Sequence, residues 1–230
     1  MTANSEAQLK TLSEIKNRIS IAAKGREVLL VAVSKTFSAE KVRGLYDLGV
    51  RDFAENYPQE AVQKLNELSD LKDIRWHFVG NLQTNKVKMI VNRFELIHSV
   101  DRINLVNEIE KRATQPQKIL IEVNLAAEKS KSGCEVSQAA NLIEHACSQK
   151  KIIVAGLMFM APLEMTNHEQ DIYYLKAVQL RNDLALKLEA QLVGGHSLAL
   201  LSMGTSHDFE SAIRAGATMV RLGTVLFGKR

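Results

Sequence analysis

The chain has 230 residues, 46% hydrophobic and 24% charged, and its 30 Lys and Arg against 26 Asp and Glu leave a net charge of +4. That length carries one large or two small domains with a sizeable core, and the charge, spread without a basic block, argues against nucleic-acid binding while suiting a small anionic ligand. Two cysteines, Cys134 and Cys147, in no CxxC pattern exclude a disulfide scaffold and a zinc site and fit a reducing compartment.

The N-terminal stretch MTANSEAQLKTLSEIKNRIS is rich in charge and has no apolar h-region, so it does not read as a signal peptide. No stretch is long and apolar enough for a membrane span. A soluble, cytoplasmic protein with no membrane and no nucleic-acid partner is expected. No Gly/Ser-rich linker divides the chain, which predicts a single domain over residues 1–230.

Leu9, Leu12, Ile15, Ile19 and Ala22 keep helical spacing and predict an amphipathic helix over about residues 5–23. Next comes LLVAVSKTF (29–37). Its unbroken apolar run, β-branched at Val31 and Val33, predicts a strand buried on both faces, as in a parallel sheet under helices. Alternation points Val31, Val33 and Lys35 to one face, with Lys35 where the strand ends, the place where parallel α/β proteins keep their chemistry. Taken alone, such a lysine is most often a polar residue reaching the surface.

Ser38 reads as the N-cap of a helix through Val42, Leu45 and Tyr46, with Gly49 past its end. A short strand, VRDFAEN, follows, and Pro58 suits the first turn of a helix whose apolar face is Ala61, Val62, Leu65 and Leu68. Strand WHFVG (76–80) precedes a helix over Asn85–Val91, and FELIHSV (94–100) a helix over Asp101–Arg112. Strand KILIEVN (118–124) precedes a helix over Ser137–Gln149. After IIVAGLMFM (152–160) a long helix over about 169–192 carries Ile172, Leu175, Val178 and Leu188. The last strands, SLALLSMG (197–204) and TMVRLG (218–223), flank a helix near Phe209–Ala215.

Eight strands alternating with helices predict an α/β fold: a single (β/α)8 TIM barrel preceded by an N-terminal helix. The alternative, an open doubly wound sheet, more typically uses about five or six strands.

A barrel gathers the residues just after each strand at one rim. They are Lys35; Glu55, Asn56 and Tyr57; Gly80, Asn81, Gln83, Asn85 and Lys86; Ser99 and Asp101; Asn124, Lys131, Ser132 and Gly133; Met158 and Met160; Ser202–Ser206; and Arg221, Gly223 and Thr224. Gly204, Thr205 and Ser206 precede a helix, and Gly223 and Thr224 follow the last strand; both places favour a phosphate. The plainer reading is that Ser206 caps its helix while Asp208 and Glu210 stabilise the first turn, acids that would oppose an anion unless turned away. Arg221 shares a face with Met219, and on adjoining first and eighth strands Lys35 and Arg221 become neighbours. Two adjacent cations and burial would both depress the lysine's pKa and favour the amine that attacks carbonyls. Lysine, arginine and a phosphate cup together suggest a phosphorylated aldehyde.

AVSKTF, FAENYPQE, WHFVGNLQTNK, HSVDR, VNLAAEKSKSG, GLMFMAP, LSMGTSHDFESAI and VRLGTVLFG closely resemble the motifs of the pyridoxal-phosphate homeostasis family, in order from about residue 31 to the C-terminus. The resemblance implies a barrel similar to the N-terminal domain of alanine racemase and pyridoxal 5′-phosphate (PLP) as cofactor. It makes Lys35 the lysine joined to PLP as a Schiff base. It matches Ser206, Gly223 and Thr224 to the phosphate contacts, Arg221 to the arginine facing the pyridine nitrogen, and Asn56 to the residue lying against the ring. His77 belongs to the WHF motif without a role derived from the residues. Ala54 stands where the family usually has glycine, which puts a methyl group where it would crowd the turn before Glu55.

A PLP enzyme needs an electron sink and a second acid–base group. A charged Arg221 at the pyridine nitrogen makes the ring a weak sink. Racemases of the related fold add a tyrosine from a further β-domain, for which the sequence after the last strand leaves no room, and Tyr46, Tyr57, Tyr173 and Tyr174 do not replace it. Tyr57 opens a helix and is expected to pack. His77 is the best acid–base candidate, His98 and His207 are weaker, no histidine pair has metal-ligand spacing, and nothing marks Cys134 as a nucleophile. The leading expectation is therefore a monomeric, non-catalytic PLP carrier serving vitamin B6 homeostasis, with apo PLP-dependent enzymes as partners and no metal. A racemase-like amino-acid enzyme is the runner-up. A third reading keeps the barrel without PLP: an aldolase using Lys35 on a sugar phosphate.

Overall fold

The computed structural model describes residues 3–128 and 132–228. Helix α1 (Ala3–Ala23) leads into β1 (Leu29–Val33), and the chain continues α2 (Ala39–Asp47), β2 (Asp52–Glu55), α3 (Pro58–Glu67), β3 (Arg75–Phe78), α4 (Val87–Ile90), β4 (Leu96–Val100) and α5 (Ile103–Arg112). It ends β5 (Gln117–Glu122), α6 (Val136–Cys147), β6 (Ile152–Met158), α7 (Asn167–Lys187), β7 (Leu200–Ser202), α8 (Phe209–Ala215), β8 (Met219–Leu222) and α9 (Thr224–Phe227). The eight strands close into a barrel in sequence order, with β1 bonded in parallel to both β2 and β8.

Alternation along the strands divides the buried residues into two sets. Val31, Val33, Ala54, Leu96, Leu120, Ala155, Met158 and Met219 fill the barrel interior, while their neighbours, such as Phe53, Phe78, Ile97 and Val220, pack outward under the helices. Burial on both faces is what makes these strands read as continuous apolar runs. Two predicted caps form: Ser38 accepts a hydrogen bond from the Lys41 N–H, and Gly49 follows α2 with φ +90°, a conformation that costs glycine little.

Three expectations need correction. The apolar face assigned to α7 is half right: Leu188 is buried and Val178 packs against the core, but Ile172 and Leu175 are exposed, and Tyr173, Tyr174, Ala177 and Leu184 take the buried face. The tyrosines take the inner face because each buries a large ring and still finds a partner for its hydroxyl, Met160 O for Tyr173 and Asp208 for Tyr174. Ala54 does not lie in a turn. It sits within β2, in register with Val33 and His77, and its methyl group helps fill the barrel interior. Tyr57 does not pack; it precedes α3 as an exposed residue.

Candidate functional site

Lys35, Asn56, Ser206, Arg221, Gly223 and Thr224 line one pocket of about 230 Å³ at the C-terminal mouth of the barrel. Val33, Val79, Met160, Leu163, Thr205 and His207 complete its wall. Pairing of β1 with β8, with Val31 opposite Arg221, brings the two distant ends of the sequence to one side of this mouth.

Lys35 is half-buried on a tightly held loop. The next residue, Thr36, has φ +66°, unfavourable for a β-branched residue, and its N–H donates to Glu60 Oε1 at 2.6 Å. Below the loop lies a second lysine that the sequence reading passed over. Lys64 is buried on α3 and donates to Ser34 O at 2.5 Å, Glu55 Oε1 at 2.6 Å and Glu60 Oε1 at 2.7 Å. Glu55 therefore faces α3 and not the rim. Burial pushes its carboxyl up, and the hydrogen bonds from Lys64 and Ser34 only partly offset this. The signal for Lys64 was present: with Ala61 and Leu68 it makes the i, i+3, i+7 stripe that a helix buries.

On the opposite wall, Gly204 has φ +92°, and a Cβ there would lie 2.7 Å from the Ala212 Cβ and 2.9 Å from the Phe209 Cα. Glycine lets the loop after β7 lie directly on α8. Ser206 does not cap α8, since the N-cap position is Asp208; its hydroxyl instead accepts the Gly223 N–H at 3.3 Å, joining this loop to the last strand. Both acids turn away from the pocket. Asp208 accepts from the Thr205 N–H and hydroxyl and from the Tyr174 hydroxyl, and Glu210 pairs with Arg18 of α1. The cup of Ser206, Gly223 and Thr224 is thus free of the repulsion those carboxylates would bring.

Arg221 is 4% exposed. It donates to Ser202 Oγ at 2.5 Å and to Phe159 O at 2.9 Å and lies against the Met160 sulfur. Burial lowers its pKa, against the opposing fields of Tyr174, Asp208 and Glu122, but an arginine starts so high that it stays charged. Asn56 is held by a close backbone approach: a Cβ at Gly80 would lie 2.0 Å from Asn56 O. Among the described residues the Asn56 Oδ1, buried at the pocket wall, has no hydrogen-bond partner, an acceptor whose cost a ligand donor would remove.

His77 is the one residue of the predicted site that does not line the pocket. It lies in the barrel interior, 3.1 Å from Asp52 and 3.0 Å from His98. His207, given the weaker claim in sequence, is at the pocket. None of the four tyrosines lines it; Tyr173 and Tyr174 support its wall from behind, and burial raises both hydroxyl pKa values. Cys134 is buried, and burial pushes its thiol up to about 12, which leaves it unreactive. Lys131 falls outside the described residues.

The model for the alanine racemase N-terminal domain matches residues 4–230. The pyridoxal phosphate homeostasis protein of Aquifex aeolicus is 40% identical over 225 residues, covering 96% of each chain. Among solved structures, PipY of Synechococcus elongatus aligns without PLP at a TM-score of 0.87 and 33% identity over 96% of this chain and 99% of that one. Its PLP-bound form aligns at 0.86 and 32% over 96% and 100%. The chain belongs to the family of pyridoxal phosphate homeostasis proteins.

Proposed function

We propose that this chain, as a member of that family, binds PLP in the pocket at the barrel mouth and holds it covalently through Lys35, buffering or delivering the cofactor within the cytoplasm. The whole chain acts as one PLP-binding barrel domain, monomeric, with apo PLP-dependent enzymes as recipients. The observation that carries this reading is the convergence of Lys35, Arg221, Asn56 and the Ser206–Gly223–Thr224 cup on one small pocket. The orphaned Asn56 Oδ1 is a further sign that the pocket is built around a ligand.

Each residue has a task. Lys35 supplies the amine that captures an aldehyde. Ser206, Gly223 and Thr224, where the last strand turns into α9, hold the phosphate. Asn56 lies along the ring. Bound PLP supplies an aldehyde that captures amines and a ring that withdraws electrons from them. Arg221 limits the second property, because a charged guanidinium at the pyridine nitrogen opposes its protonation. Among the side chains at the pocket, His207 is the one besides Lys35 that can exchange a proton near neutral pH, so the enantiomer experiment below is what separates a carrier from a racemase.

Mixing protein with PLP, trapping with borohydride and mapping the adduct by mass spectrometry tests the reading. Modification of Lys35 is expected, and its absence from the wild-type protein would sink the proposal. Incubating the loaded protein with single amino-acid enantiomers in deuterated water separates carrier from racemase. Inversion well above that of free PLP would overturn the carrier reading.

A further inference from the structure

The histidine motif finds its place in a file of hydrogen bonds running through the barrel interior. Arg221 donates to Ser202 Oγ at 2.5 Å; Ser202 Oγ lies 2.9 Å from His98 Nδ1; His98 Nε2 lies 3.0 Å from His77 Nδ1; and His77 Nε2 lies 3.1 Å from Asp52 Oδ1. All five side chains are buried. Asp52 opens β2 and is clasped by Arg75 at the start of β3, so the file ends at the barrel face opposite the pocket. Arg75 is about half-exposed there, with 52% of its side chain accessible.

The chemistry of the two ends fixes the direction of every bond between them. Arginine only donates and a carboxylate only accepts. Ser202 Oγ accepts from Arg221, and among the described residues His98 Nδ1 is the one acceptor its own hydrogen meets, so the His98 proton sits on Nε2 and is donated to His77 Nδ1. The His77 proton is then on Nε2 and is donated to Asp52. Every donor in the file meets an acceptor only when both imidazoles are neutral and both carry the proton on Nε2. Burial, His77 and Arg221 hold His98 well below its ordinary pKa. Burial raises the Asp52 carboxyl, but the hydrogen bonds from His77 and Arg75 outweigh it and keep the group ionised.

We propose that Asp52, His77, His98 and Ser202 form a one-way hydrogen-bond relay that fixes the orientation of the Arg221 guanidinium at the pocket, which makes His77 and His98 positioning residues for the ligand. Among the described residues no carboxylate forms an ion pair with Arg221, so the relay and the Phe159 carbonyl are what hold this cation in place. A file of aligned donors polarises each member in turn. The role assigned to the ligand rests on the PLP reading; the relay itself does not.

Long-range proton–nitrogen NMR of the histidine-labelled apoprotein reads the tautomers directly. Neutral, Nε2-protonated rings at both His77 and His98 are expected; a proton on Nδ1 or a charged ring at either residue overturns the relay, whatever the protein binds. PLP titration of His77→Gln, Ser202→Ala and the double variant then tests the coupling, with folding checked by circular dichroism. Each single change should weaken PLP binding about tenfold, and the double change no more than that, because either one cuts the same file. Affinity within about twofold of wild type in folded His77→Gln overturns the positioning role. Failure of the wild-type protein to bind PLP, with the tautomers as expected, counts against the cofactor reading and leaves the relay standing.

Discussion

Two lysines flank Ser34, and their surroundings differ in a way that separates a reactive amine from a structural one. Lys64 points its three ammonium hydrogens at Ser34 O, Glu55 and Glu60, so its donors are matched and its charge is balanced inside the protein. Lys35 lies one residue past Ser34 and opens into the pocket beside Arg221 and the Ser206 cup. Burial alone does not make a lysine chemical. What matters is whether the lysine is enclosed among carboxylates or opens onto a ligand pocket.

Substitutions at the two positions should have crossed effects. Lys35→Ala is expected to abolish the borohydride-trapped adduct completely while shifting unfolding stability by less than about 1 kcal/mol, as for a half-exposed site. Lys64→Met should retain the adduct and lose about 3–5 kcal/mol in urea unfolding, because Glu55 stays buried without its cation. An adduct on Lys64 in the Lys35→Ala protein would break the distinction.

The comparison sharpens when extended to carboxylates. Glu55 has Lys64, whereas Glu122 at the C-terminal end of β5 forms no ion pair among the described residues, and burial with the nearby Asp101 pushes it up to about 7 against the pull of Arg221. Its folded pKa lies above its ordinary 4.5, so the folded state binds the extra proton. Its favourable contribution is full below about pH 4.5 and is lost as pH rises to about 7, a change on the order of 3 kcal/mol at most. Urea unfolding across that window should show the fall, and Glu122→Gln should flatten it. The smallest effect belongs to the surface: breaking the Arg18–Glu210 pair between α1 and α8 with Glu210→Ala should cost about 0.5 kcal/mol in the same assay.

Much of the candidate site was legible because the end of a strand is legible. Lys35, Asn56, Arg221, Gly223 and Thr224 each follow or close an apolar run, and a parallel barrel delivers such positions to one mouth. The α7 face was partly misread because a helix with apolar residues on several sides has no single stripe, and the ring size and hydroxyl partners of Tyr173 and Tyr174 decided which side turned inward. Lys64 was missed because a charged side chain was not counted on an apolar stripe. Leu163 reaches the pocket from a loop, where periodicity carries no information, whereas Met160 was placed at the rim and His207 near a strand end by the same reading of strand ends.

By itself the sequence determined the eight alternating units, the closed parallel barrel they imply and the end of it where function gathers, because the periods of strand and helix are local properties of the chain. The tertiary structure alone decided which buried polar groups meet. His98 and Ser202 lie 104 positions apart, and Asp52 reaches Arg221 only through three residues, His77, His98 and Ser202, on three other strands of the barrel. Alternation shows that a residue points inward. Strand tilt and stagger determine which other inward residue it touches across the interior, and these are properties of the closed sheet as a whole.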